Sequence, residues 1–114
     1  MKQSFTAVLE RNSSLEGQFA TEPYEVAWAS EARWFINTLS IDPGTAMSAQ
    51  VQVSPDGLNW CDIDDSPKTV SETGTVSWTT SDFGGWLRLK GDVRNDSGAP
   101  DGRAKVQIYL ALKG

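Results

Sequence analysis

Histidine is absent from this sequence, and cysteine occurs once, as Cys61. Without an imidazole, every Ser-His or Cys-His mechanism is excluded, together with most zinc and non-haem iron sites. A single thiol cannot close an intramolecular disulfide or build a thiolate cage. No apolar run approaches the roughly 20 residues that a membrane helix needs. Residues 1–11 hold no apolar stretch long enough for a secretory h-region, so no signal peptide and no membrane insertion are expected. Basic side chains are scarce too: 10 Lys and Arg stand against 15 Asp and Glu, for a net charge of −5. Nucleic-acid affinity rests on cations that neutralise phosphates, so no nucleic-acid partner is expected. Helical signal is also missing, because no window of about 11 residues keeps an apolar 3.6 period.

What is present is β-pattern. Val, Thr, Trp, Tyr and Phe gather in short runs broken by Gly, Pro, Asn, Asp and Ser. In the last run Val106, Ile108, Leu110 and Leu112 fall on one face, with Lys105, Gln107, Tyr109 and Lys113 on the other. Ala49, Val51 and Val53 alternate with Gln50, Gln52 and Ser54, and then Ser54-Pro55-Asp56-Gly57 predicts a tight turn that returns through residues 58–63. Val76 and Trp78 mark a strand over 75–80; Leu87 and Leu89 mark another over 86–90. Shorter runs begin at Phe5 and at Tyr24, and 34–41 is apolar on both faces at its start. Residues 13–22, 64–74 and 91–102 read as loops. About eight strands with no crossover helices predict a single all-β domain over 1–114, an antiparallel two-sheet β-sandwich of jelly-roll type.

Ser54-Pro55-Asp56-Gly57-Leu58-Asn59-Trp60 follows the pattern Ser-x-Asp-Gly-x-x-Trp. It resembles the hairpin of discoidin-like (coagulation factor 5/8 type C) and related carbohydrate-binding jelly rolls. Gly85-Trp86-Leu87-Arg88-Leu89-Lys90 is similar to a later strand of those domains, and the final alternating strand also fits. The resemblance spans residues 49–112 and implies a jelly roll; a glycan partner is what it implies about function. The paired cysteines of many such domains are not here.

Five tryptophans, at 28, 34, 60, 78 and 86, require an account. Their ring faces suit either a packed core or a sugar-stacking platform. Trp86 is expected to point outward with Arg88 and Lys90, opposite Leu87 and Leu89. With Tyr109 these three are the candidate contacts, for a protein interface or for a glycan. Cys61 reads as a small buried hydrophobe, because its charged neighbours Asp62, Asp64 and Asp65 would hinder a reactive thiolate. Those three carboxylates are the calcium candidates. They lack the Gly and distal Glu spacing of a calcium loop, so a solvated strand end is the favoured reading and no cofactor is expected. Asn12-Ser13-Ser14 and Asn95-Asp96-Ser97 match the glycosylation pattern. No carboxylate pair stands out for hydrolysis, so no enzyme is expected. The expected role is a non-enzymatic structural module, such as a virion decoration protein or a fibre or shell subunit, that associates with itself or with a larger assembly. The alternative is a small carbohydrate-binding module.

Overall fold

Val106, Ile108, Leu110 and Leu112 are fully buried while Lys105 and Lys113 are exposed, so the period-2 pattern of the last run is realised as a half-buried strand. The same logic recurs through the chain in a computed structural model that describes residues 4–63, 67–96 and 102–114. The elements are β1 (Ser4–Leu15), β2 (Gly17–Ala20), β3 (Tyr24–Glu25), β4 (Glu31–Ile41), β5 (Thr45–Ser54), β6 (Cys61–Asp62), β7 (Lys68–Val70), β8 (Gly74–Thr80), β9 (Trp86–Asn95) and β10 (Ala104–Lys113). Every pairing is antiparallel.

A four-stranded sheet has the order β1-β10-β4-β8, and a six-stranded sheet has the order β2-β9-β5-β6 with β3 also on β9 and β7 also on β5. Among the described residues ten segments therefore fill eight strand positions. β2 and β3 are one edge strand broken near Pro23, which has no N–H to give. Thr21 bridges towards the break: its N–H donates to the Leu89 carbonyl at 2.9 Å and its Oγ1 accepts from the Leu89 N–H at 3.0 Å. β6 and β7 both pair along the same edge of β5 and occupy one position there. First and last strands lie side by side, and the chain passes back and forth between the sheets, which is the jelly-roll arrangement the sequence predicts.

Between the sheets lies one core. β4 contributes Trp34 and Ile36, β10 Val106, Ile108, Leu110 and Leu112, β5 Met47 and Val51, and β9 Leu87, Leu89 and Val93, all at 0% exposure. Each such side chain contributes about 1.5–3 kcal/mol of hydrophobic stabilisation. Trp34 and Trp78 stack across β4 and β8 at 6.3 Å, and the Trp34 Nε1 donates to Thr80 Oγ1 at 3.0 Å.

Four expectations need correction. Residues 64–74 are not all loop, because Lys68–Val70 form β7 on β5 and Gly74 opens β8. Residues 13–22 are not a loop: β1 runs on to Leu15 and β2 follows at once. Two register shifts, between Val8 and Glu10 and between Glu10 and Ser13, reset the alternation in β1. The stretch from 91 is not a loop either, because β9 continues to Asn95. Gly91 sits there because a Cβ would lie 2.1 Å from the Ser48 carbonyl oxygen and 2.6 Å from the Phe19 ring, which lies across the glycine. Residues 97–101 of that stretch lie outside the described residues. Cys61, finally, is exposed rather than buried: β6 is a two-residue edge strand beyond the reach of the core.

Candidate functional site: the outer faces of the two sheets

The outward side chains of β9 and β5 define the outer face of the six-stranded sheet. Leu87 and Leu89 are buried, so Trp86, Arg88 and Lys90 point away from the core as expected. They are not alike, however. Trp86 is half-buried beneath the β5–β6 turn, where Gly57 (φ +79) lies against its ring; a Cβ there would sit 3.4 Å from the indole. Arg88 is pinned: its Nε donates to Gln52 Oε1 at 2.8 Å, and its guanidinium lies 4.3 Å from the centroid of Trp60. Gln52 in turn donates from Nε2 to Asp62 Oδ1 at 3.0 Å. Lys90 is exposed, in a row with Ala20 and Gln50. Asp92 and Arg94 complete a charged face and form an ion pair.

Asp62 is thus engaged by Gln52, and Asp64 and Asp65 lie outside the described residues. Among the described residues no group of three or more His, Cys, Asp or Glu is placed to hold a metal ion. The neighbouring turn carries a different use of a carboxylate. Asp56 Oδ1 accepts from the N–H groups of Asn59 and Leu58, both at 2.9 Å, and Oδ2 accepts from Asn59 Nδ2 at 2.7 Å. The Asn59 backbone bond first, then that of Leu58, hold the Asp56 carboxyl well below the usual carboxylate range. Ser54 Oγ accepts from the Gly57 N–H at 2.8 Å, so Ser54, Asp56 and Gly57 have structural work in the turn.

Tyr109 is on the opposite side of the sandwich, on the outer face of the four-stranded sheet. The register aligns three outward rows across β1, β10, β4 and β8: Thr6–Ala111–Arg33–Thr79, Val8–Tyr109–Phe35–Ser77, and Asn12–Gln107–Asn37–Thr75, the last carried over a bulge. Arg33 is the one charged side chain in these rows. The middle row is an apolar band, with Val8 43% exposed beside the half-buried Tyr109 and Phe35. The third row is a chain of hydrogen bonds that crosses all four strands in one direction. Thr75 Oγ1 donates to Asn37 Oδ1 at 3.0 Å, Asn37 Nδ2 to Gln107 Oε1 at 2.9 Å, and Gln107 Nε2 to Asn12 Oδ1 at 2.8 Å. Asn12 takes φ +56 at the bulge, a left-handed conformation that Asn tolerates better than most residues. Beside the band is a recess of about 460 Å³, whose lining includes Glu31, Arg33, Phe35, Thr79, Ala111 and Lys113.

The tryptophans do not form a platform. Trp34 is in the core with Trp78 against it, Trp60 lies beneath Arg88, and Trp86 lies beneath Gly57. Trp28 alone, 39% exposed, joins other rings: with Phe5, Tyr24 and Ser4 it lines a recess of about 470 Å³, and Phe5 stacks on Tyr24 at 6.1 Å. Sequence reading missed this aromatic corner, because its members come from three separate segments.

No family model matches the chain and no curated protein matches it by sequence, so the discoidin-like resemblance rests on its motifs alone. Solved structures share the fold. The PBSX exported protein XepA superposes with a TM-score of 0.68 at 9% identity, over 95% of this chain and 36% of that one. The VP2 subviral particle of infectious bursal disease virus gives 0.65 at 11% identity, over 98% and 32%. A structure of the Gt strain of that virus gives 0.62 at 7% identity, over 98% and 32%. The chain thus spans about a third of the length of each, and at these identities the likeness is one of fold. Among the described residues no helix is long and apolar enough to cross a membrane.

Proposed function

We propose that this chain is a non-enzymatic assembly module of virion type, a decoration protein or a shell or fibre subunit, which acts by docking one sheet face on copies of itself or on a larger protein assembly. The outer face of the four-stranded sheet carries the reading: a surface with the Val8–Tyr109–Phe35 band at its centre and one charge in its three central rows. Docking surfaces are depleted of charge at their centres and enriched in Tyr and Phe, and this face has that composition while the other does not. The arrangement of strands in a protein that forms a subviral particle supports the same reading. It needs no cofactor, no nucleic acid and no membrane.

Size-exclusion chromatography with light scattering tests it. The expected result is a multimer, or co-elution with an isolated shell, that the double variant Phe35→Ser, Tyr109→Ser loses. The aromatic corner favours the alternative, because exposed rings suit the apolar face of a pyranose. A stable monomer retained on immobilised polysaccharide, and released from it by Trp28→Ala, would establish that alternative instead. Robust turnover by purified protein would overturn both.

A further inference from the structure

Each sheet of an open sandwich ends in strands whose outer N–H and C=O groups lack a ladder partner, and soluble proteins ordinarily guard such edges with bulges, charges, prolines or short strands. Three of the four edges here are guarded. β1 carries two register shifts and the charged residues Glu10 and Arg11. The β2–β3 edge is broken near Pro23, and among the described residues the β6–β7 edge has segments of two and three residues.

The fourth edge, β8, has none of these devices. Gly74-Thr75-Val76-Ser77-Trp78-Thr79-Thr80 contains no charge and no proline, and it pairs with β4 from Ala32 to Thr38 without a register shift. Residues 74–77 and Thr79 are exposed, and Val76, in the inward row opposite Ile36, is 39% exposed. Uncharged, β-branched and aromatic, this segment is a template for another strand.

We propose that β8 pairs antiparallel with β8 of a second copy, about a two-fold axis at Ser77, so that two four-stranded sheets become one continuous sheet. This deepens the assembly reading and rests on it. The sequence of β8 is what selects the second copy as occupant. With Ser77 opposite Ser77 of the second copy, Thr75 meets Thr79, Val76 meets Trp78 and Gly74 meets Thr80. Every pair then joins residues of the same face, so the inward row stays inward and the outward row stays outward. Val–Trp and Thr–Thr are cross-strand pairs that favour a sheet, and both kinds occur twice by symmetry. Shifting the register by one residue would put inward side chains opposite outward ones. The pairing also covers Val76, and it joins the Val8–Tyr109–Phe35–Ser77 rows of the two copies end to end. An isologous contact of this kind closes on itself, so it gives a dimer and not a fibre.

Disulfide trapping reads the register directly, in a Cys61→Ser background because Cys61 is exposed. Directly opposed residues of an antiparallel pair are about 4.5–5.5 Å apart at Cα, within disulfide range, whereas Thr75 would lie roughly 14 Å from its own copy. Ser77→Cys is expected to give a covalent dimer under mild oxidation, and Thr75→Cys is not. A charge test covers the case in which the thiol variants fold poorly. Thr75→Glu with Thr79→Glu places like charges across the new ladder and should leave a monomer at concentrations where the parent is dimeric. Thr75→Lys with Thr79→Glu places opposite charges there and should keep the dimer. Equal trapping of the two thiol variants, or equal behaviour of the two charge variants, overturns the pairing. If that happens while Phe35→Ser, Tyr109→Ser still dissolves the assembly, the docking face stands without the edge contact. A wild-type chain that stays monomeric and docks on nothing removes the assembly reading itself.

Discussion

Across the four-stranded sheet the three central outward rows offer Val8, Phe35 and Tyr109 beside a chain of amides, with Arg33 the one charge in them and Glu31, Lys105 and Lys113 towards the ends of the strands. Across the six-stranded sheet they offer Arg88, Lys90, Asp92 and Arg94, with Gln50 and Gln52 between them. Both are solvent faces of half-buried sheets with the same inward-outward rule, and β10 and β9 bury their apolar rows equally well. The difference lies in how the outward polar groups are used. On the charged face they satisfy one another locally, as Asp62, Gln52, Arg88 and Trp60 do in sequence across the strands. On the amide face they form an uncharged chain that can be stripped of water without leaving an unpaired ion, which makes desolvation on docking far less costly.

The largest expected effect separates the faces outright. Phe35→Ala or Tyr109→Ala removes an aromatic anchor from the proposed docking centre, and such truncations cost about 2 kcal/mol, or roughly 30-fold in affinity. Lys90→Ala on the other face should change association by less than about twofold. Sedimentation velocity across a concentration series measures both. Equal sensitivity of the two faces would dissolve the contrast.

Next in size is a stability effect confined to the charged face. Arg88→Ala removes the bond to Gln52, worth about 1 kcal/mol, and the contact with the Trp60 ring, worth about 0.5–1 kcal/mol for a partly exposed pair. Gln52 is only 9% exposed, so its Oε1 is left poorly hydrated. A fall in melting temperature of about 5 °C or more is expected, with the association constant unchanged. Gln107→Ala has a smaller effect on stability but, unlike Arg88→Ala, also acts on association. It cuts the amide chain at two places, towards Asn12 and Asn37, and should cost about 1 kcal/mol of stability while also weakening docking. Thermal unfolding and sedimentation on the same samples distinguish the two variants.

Legibility in the sequence tracks the same physics. β10 and β5 as far as Val51 were readable because one face of each alternates towards the core, and the β8 run because it is rich in β-branched and aromatic residues, although most of it is exposed. β1 beyond Leu9 was not, because two bulges break the period that the reading relies on. The far half of β9 was not, because Gly91, Asp92 and Arg94 carry the composition of a loop while the ladder to β5 continues from Trp86 to Asn95. The outward sense of Trp86, Arg88 and Lys90 could be read from Leu87 and Leu89, but the cover over Trp86 and the clamp on Arg88 come from Gly57 and Trp60 on another strand connection. Tyr109 was found as an outward aromatic. Its partners Val8 and Phe35 were not, because cross-strand neighbours depend on register, which a single strand does not encode.

The smallest effect belongs to the turn that covers Trp86. Asp56 is held as a carboxylate by the N–H groups of Asn59 and Leu58, which lowers its pKa in the folded chain. Folding therefore favours the charged form. The stabilisation this gives is complete above the unfolded value near 4, and it is lost progressively as pH falls below that towards the lowered folded value. Asp56→Asn keeps one acceptor oxygen but puts an NH2 group where Oδ2 accepts from Asn59 Nδ2, so the difference in melting temperature between parent and variant combines that lost bond with the ionic part, and only the ionic part follows pH between 5 and 3. That difference should be constant from pH 7 to pH 5 and should shrink below pH 4. Association through the four-stranded face should not follow it, because the turn sits on the other side of the sandwich. An unchanged difference at pH 3 would mean that geometry alone holds the turn, and a parallel change in association would mean that the two faces are coupled through the core.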